Sequence, residues 1–281
     1  MNNKILRYAL PFVIAASLSA LAYWRGAFSV DVISVPLKTV GLEVGSSEIH
    51  QALSQSYHFL GAGRQSFAFV SEDGKTVLKF FNRKYFQLPW YIFALRDPEK
   101  EEKKREQREF FYLKSYALAE KFLREQTGLL YVHFGKTEQL GVVHIKDQAS
   151  RVFSVDLNRV PFVLQKKGEP FYSALQEIQK ERGDGAFLAA IDDFLHMIAY
   201  RISLGISDHD HDVEHNFGFL DGKPLHFDPG RLSLCDLSSE SSCSYEWWAA
   251  THSLRKWIQE EYPDLVSPFD RLLVELKTRS D

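Results

Sequence analysis

A chain of 281 residues is long enough for one large or two modest domains, each with a core of its own. Hydrophobic residues make up 45% and charged residues 25%, with 22 Phe and 12 Tyr, which excludes a disordered or fibrous chain and predicts a packed interior. The formal net charge of -3 lacks the basic surplus that phosphate backbones demand, so no nucleic acid partner is expected.

In chain order the N-terminus comes first. Lys4 and Arg7 precede an uncharged run over 8–24, closed by Arg25. The run meets the lower length limit of a spanning helix, and its apolar stretch followed by Ala20-Leu21-Ala22 also fits a cleavable signal. Residues 1–27 are therefore expected to be a signal-anchor or signal peptide. The protein would sit at a membrane through a single-pass N-terminal anchor or, after cleavage, be secreted or exported. The basic flank ahead of the run predicts that the folded part lies on the far side. Residues 28–46 mix Val, Ser, Pro and Gly without periodicity and read as a linker.

Ser47 is a candidate N-cap for a short helix to residue 53. Strands are expected at 58–61, 67–71 and 76–81, the last two joined across Asp73-Gly74. A long helix over 97–126 is stopped by Gly128. Strand-like runs follow at 141–146, 151–157 and 161–165, then a helix over 186–204 ended by Gly205. A small hairpin pairs 217–220 with 224–227 across Asp221-Gly222, and helices close the chain at 245–262 and 267–276. The order predicts an α+β fold in two lobes, 47–168 and 169–281. Cys235 and Cys243 are too few for a disulfide framework, although one local bridge stays open.

The turn Gly61-Ala62-Gly63-Arg64-Gln65-Ser66 lies between two expected strands, where glycines let a backbone approach phosphates with its N–H groups free. An ordinary hairpin fits the same residues. The next strand, Thr76-Val77-Leu78-Lys79, buries one charged residue in an apolar run, and lysine is seldom buried without a partner. Glu106 and Glu109 lie where the long helix turns from charged to apolar, and Glu109 is the favoured partner; a solvated helix face suits both equally. Lys100, Lys103, Lys104, Arg105 and Arg108 interleave with acids as a solvated surface does.

The segment Gly205-Ile206-Ser207-Asp208-His209-Asp210-His211-Asp212-Val213-Glu214-His215-Asn216 and the later Phe227-Asp228-Pro229-Gly230 offer carboxylates and an asparagine in one stretch. Two rival readings are a transition-metal site and a solvated polar loop, though adjacent loop residues rarely point at one ion. His133, His144, His196 and His252 sit on apolar segments and read as core or surface histidines. Trp247, Trp248 and Trp257 suggest packing of the last helices.

On these residues the chain resembles the protein-kinase-like superfamily, especially its atypical branches that act on small molecules or lipids. The Gly-Ile-x-Asp opening and the Phe-Asp-x-Gly close are similar to those of phosphoinositide-kinase-like members. The resemblance spans about 57–231 and implies a two-lobed fold with a reduced C-terminal lobe, using ATP and Mg. It places Gly61, Gly63 and Ser66 at the phosphates, Lys79 on the α- and β-phosphates with Glu109 as its ion-pair partner, and Gln165 in a hinge touching adenine. It places Asn216 and Asp228 on magnesium and Asp210 as catalytic base. Asp208 and Asp212 stay open for that role, because the superfamily's spacing back from Asn216 lands on His211. Pro229 stands where the family carries Phe, and no Ala-Pro-Glu element follows. The implied function is a phosphotransferase on an unknown acceptor (small molecule, lipid or protein), or a pseudokinase acting as a binding or scaffolding module.

Overall fold

The computed structural model describes residues 28–33, 39–40, 47–86, 97–237 and 239–280. The expected N-terminal hydrophobic segment lies outside them. Among the described residues no helix is long and apolar enough to cross a membrane.

The first half of the chain builds one mixed sheet. After α1 (Ser47–Leu53) come β1 (Tyr57–Ala62), β2 (Ser66–Ser71) and β3 (Thr76–Phe81). Helix α2 (Pro98–Phe122) intervenes before β4 (Leu129–His133), β5 (Val142–Lys146), β6 (Val152–Asp156) and β7 (Phe162–Lys166). The sheet order is β4-β7-β3-β2-β1-β5-β6, antiparallel except for the β1–β5 pair. Strand β3 is buried on both faces, which explains its unbroken apolar run. Leu78 and Phe80 join Phe69, Phe162 and Leu164 in one core, while Phe81 and Val163 join Tyr112 and Tyr116 of α2 in another. With side chains alternating along a strand, Lys79 shares the α2-facing side with Phe81. Phe28 and Ile33, from the stretch expected to be a linker, pack into the first core.

Helix α2 starts where its sequence dictates. Asp97 caps it by accepting from the backbone N–H groups of Glu99 (3.1 Å) and Lys100 (3.3 Å), with Pro98 in the first turn. A one-turn helix, Arg124–Thr127, ends at Gly128 in the left-handed region (φ 63°), where a Cβ would also lie 2.9 Å from Leu225.

The second half is mostly helical. Helix α3 (Phe171–Ser203) begins fifteen residues before the expected position of 186, because Gly183 (φ 76°, ψ -176°) breaks its regularity and hides the first part from a periodicity reading. Its Phe171, Phe187, Ile191, Phe194 and Ile198 form one core with Trp247, Leu254 and Ile258 of α5 (Glu240–Glu261) and Phe269 of α6 (Val266–Ser280). Between them lie β8 (Ile206–Asp208), the one-turn α4 (Val213–Asn216), the hairpin β9 (Phe217–Leu220) and β10 (Lys223–His226), and β11 (Leu232–Leu234). Strands β8 and β11 pair antiparallel, and β9 also pairs with Glu169–Pro170. Gly218 is required in that pairing, since a Cβ would stand 2.1 Å from the Glu169 carbonyl oxygen. The fold is α+β, a curled sheet followed by a helical layer that carries the small β9–β10 hairpin.

Candidate functional site

Lys79 is buried on the central strand, and its ammonium donates to the Phe227 carbonyl. Burial lowers its pKa, and the opposing charge that holds the proton on is Asp228. The helix carboxylate expected to partner it is placed otherwise: Glu109 is buried and accepts from Arg105 Nη1 at 3.3 Å, one turn back on α2. Glu106 is exposed.

Asp228 and Asn216 meet through the backbone. The Asn216 carbonyl accepts from the N–H groups of Phe227 (2.9 Å) and Asp228 (3.3 Å), which closes the ends of the β9–β10 hairpin onto each other. The Asn216 side chain donates through Nδ2 to the Asp210 carbonyl at 2.9 Å and so fixes the loop that carries Asp210. From the other side, Ser115 of α2 donates to the Pro229 carbonyl and accepts from Leu232 N–H at 2.6 Å, pinning the turn after Asp228 to the helix. Lys79, Asp228, Asn216 and Asp210 are thus joined through successive contacts.

The three candidate bases occupy different environments. Asp208 is 2% exposed, and burial pushes its pKa up to about 7 despite the nearby Arg201. Its Oδ2 lies 3.6 Å from His226 Nε2, an imidazole that burial, with Arg201 and Lys79 adding to it, drives down to about 3. Asp212 caps α4, accepting from His215 N–H at 3.2 Å and facing the His215 ring at 2.9 Å. Asp210 is partly exposed, with its N–H donated to Asp208 Oδ1 at 2.9 Å and its Oδ2 3.9 Å from Arg231 Nη1. Asp208 is thus enclosed, whereas Asp210 and Asp212 both keep carboxylates open to solvent, that of Asp212 engaged in capping α4.

Beneath this loop lies a buried network that the sequence reading missed. Arg201 Nη1 donates to Glu246 Oε2 and to the Ile206 carbonyl, both at 2.8 Å, with both charged side chains 3% exposed. Glu246 also accepts from Ser207 Oγ (2.5 Å) and Asp208 N–H (3.3 Å). Burial works against the Glu246 charge, but Arg201 and these donors hold its pKa below the usual range. An arginine on the apolar side of α3 was a readable signal. Glu246, thirty-eight residues beyond Asp208, gave none.

The glycine turn reaches the same region. Gly63 N–H donates to the Ser66 carbonyl at 2.9 Å, and Gln65 Oε1 lies 3.2 Å from where a Gly230 Cβ would stand. A Cβ at Gly61 meets nothing within 4 Å, and one at Gly63 only the Ser66 carbonyl oxygen at 3.9 Å, so the turn is open. Gln165 sits on β7, one pleat repeat from Val163, which pairs with Lys79, and donates to the Thr127 carbonyl. The neighbouring N–H groups of Lys166 and Lys167 are engaged by the carbonyls of Gly128 and Lys75, both at 2.8 Å. Among the described residues no group of three or more His, Cys, Asp or Glu side chains is arranged to hold a metal ion.

No protein-family model matches the chain, and no curated protein matches its sequence. Among solved structures it is similar to WbdD in co-crystal with the kinase inhibitor LY294002, at 17% identity and a TM-score of 0.40, over 79% of this chain and 45% of that one. A second structure, of WbdD as a bifunctional kinase-methyltransferase, gives 16% identity and a TM-score of 0.39, over 88% and 47%. WaaP in complex with acyl carrier protein gives 13% and 0.29, over 83% and 94%. The chain spans less than half the length of the WbdD chains. Likeness at this level assigns no residue a role.

Proposed function

We propose that this protein is an ATP- and magnesium-dependent phosphotransferase acting on an acceptor hydroxyl. The observation that carries the reading is Lys79, buried on a central strand with Asp228 as the charge that acts on it, joined through Asn216 to the reachable carboxylate of Asp210. The donor set fits the cofactors. Asp228 and Asn216 offer hard oxygens, and magnesium prefers one or two such protein ligands, completing its shell with phosphate and water. The open Gly61–Gly63 turn leaves room for phosphate oxygens.

Mg·ATP, when bound, would supply the γ-phosphoryl group, its bond to the ADP oxygen breaking as the acceptor oxygen bonds to phosphorus, and the metal would neutralise charge on the phosphates. Lys79 would hold phosphate oxygens, whose charge would restore the proton affinity that burial reduces. Asn216 and Arg231 hold the Asp210 loop and carboxylate in place, and Asp210 accepts the proton of the attacking hydroxyl. Asp208, enclosed and bonded to the Asp210 N–H, acts as a support for the loop.

Asp210→Asn is expected to reduce phosphoryl transfer or hydrolysis from γ-labelled ATP by about 10²–10⁴-fold while Mg·ATP affinity stays unchanged. Wild-type protein that binds Mg·ATP yet neither hydrolyses it nor transfers its γ-phosphate would overturn the enzyme reading in favour of a pseudokinase module. Residues 1–27 further support a location at or beyond a membrane. Retention of the full chain in membranes after alkaline carbonate washing is expected of the anchored form and cleavage near residue 22 of the exported one; an uncleaved chain released by the wash would contradict both.

A further inference from the structure

A cleft of about 620 Å³ opens between the N-terminal half of α2 and the catalytic segment. Its charged walls are Glu101, Lys104 and Arg108 from α2 and Arg231 from the segment, with His209, Phe111 and, from the glycine turn, Gln65 beside them. Three permanent cations line it; Lys104 holds Glu101 at 2.9 Å and Arg231 stands 3.9 Å from Asp210, which leaves the charge of Arg108. Arg108 lies over the Tyr85 ring at 5.3 Å, and its Nε is shut off from solvent with no hydrogen-bond acceptor. Among the described residues no carboxylate lies within ion-pairing distance of its guanidinium. Buried donors in folded proteins are ordinarily satisfied, so an arginine that lines a cleft with one N–H orphaned and no carboxylate beside it points to an anion that arrives with a ligand and draws the guanidinium to it.

The position of the cleft says which ligand. Arg231 borders it and also stands 3.9 Å from Asp210 Oδ2, and Gly230, also in the wall, lies against Asp228. Lys79, to which the nucleotide phosphates are assigned, does not line it. The volume suits a small molecule rather than a lone ion. Paired guanidiniums recognise phosphate and carboxylate through parallel N–H bonds. We infer that the cleft binds an anionic group, phosphate or carboxylate, of a small-molecule acceptor whose hydroxyl meets Asp210. The inference deepens the phosphotransferase reading and rests on it for the word acceptor.

The test is titration of the full-length protein with inorganic phosphate, by calorimetry or phosphorus NMR, in the presence of saturating Mg²⁺ and a non-hydrolysable ATP analogue. Saturable binding at one site is expected, weakened about 10-fold or more by Arg108→Ala and by Lys104→Glu, with analogue affinity unchanged. Lys104 is 51% exposed, so its reversal leaves the fold intact. Competition between phosphate and the analogue, equal phosphate affinity in both variants, or no saturation by about 10 mM would overturn the inference. If the analogue fails to bind while phosphate binds with the same dependence on Arg108 and Lys104, the anion site stands and the phosphotransferase reading falls.

Discussion

Lys79 and Asp210, the two ends of the candidate site, are carried by opposite kinds of structure. Lys79 is carried by β3, which has ladder partners on both sides, Ala68 on β2 and Val163 on β7. Asp210 is carried by a loop with no ladder of its own, fixed by the Asn216 amide, the Asp208 carboxylate and, below them, the Arg201–Glu246 pair. A regular strand positions a side chain through backbone geometry, which many substitutions leave intact. A loop positions one through a few polar side chains, each of which matters.

That contrast can be broken most forcefully at Glu246. Glu246→Ala removes the buried counter-charge of Arg201 and leaves it only the Ile206 carbonyl, and is expected to lower unfolding free energy by about 3–5 kcal/mol. Urea denaturation reads this directly. A loss within about 0.5 kcal/mol, the range of an inconsequential surface change, would show that the loop does not depend on the network.

A smaller effect sharpens the comparison. Asp208 keeps its proton up to about pH 7 in the folded state, so between its ordinary carboxylate range and pH 7 it makes stability fall as pH rises. His226 stays neutral down to about pH 3, so between pH 3 and its ordinary value near 6.5 it makes stability fall as pH drops. The two slopes oppose each other from about pH 4 to 6.5. Asp208→Asn removes one of them, so its stability is expected to rise with pH by about 1.4 kcal/mol per unit more steeply than the wild type's across that window. Denaturation midpoints at pH 4.5 and 6 measure the slopes. Parallel profiles would contradict the buried, protonated state of Asp208.

The same contrast governs how far the sequence could be read. The β2–β3 hairpin was legible, because its burial alternates on β2 and runs unbroken on β3. Strand β4 was not: five buried residues directly after a helix stop show no alternation to distinguish them from a continued helix. For the helix over 171–203, the break at Gly183 looked like a beginning. Within the candidate site, the residues of the 205–216 segment were legible as a chemical set, but not the different surroundings that the fold gives them. Asp208 and Asp210 differ because His226 and Glu246 enclose the first, and those contacts span 18 and 38 residues. Helical spacing likewise left the choice between Glu106 and Glu109 as partner of Lys79 open; in the structure Glu106 is exposed and Glu109 pairs with Arg105.

The central claim is that Lys79 and Asp228 form the two walls of one Mg·nucleotide site. Thermal unfolding of the full-length protein with and without Mg²⁺ and a non-hydrolysable ATP analogue tests it most directly, since a ligand that binds only the folded state stabilises it by RT ln(1 + [L]/Kd) and so raises the melting temperature. The account expects a magnesium-dependent rise in the wild type that is lost in both Lys79→Ala and Asp228→Ala. A rise of equal size in either variant, or none in the wild type at millimolar analogue, would contradict it.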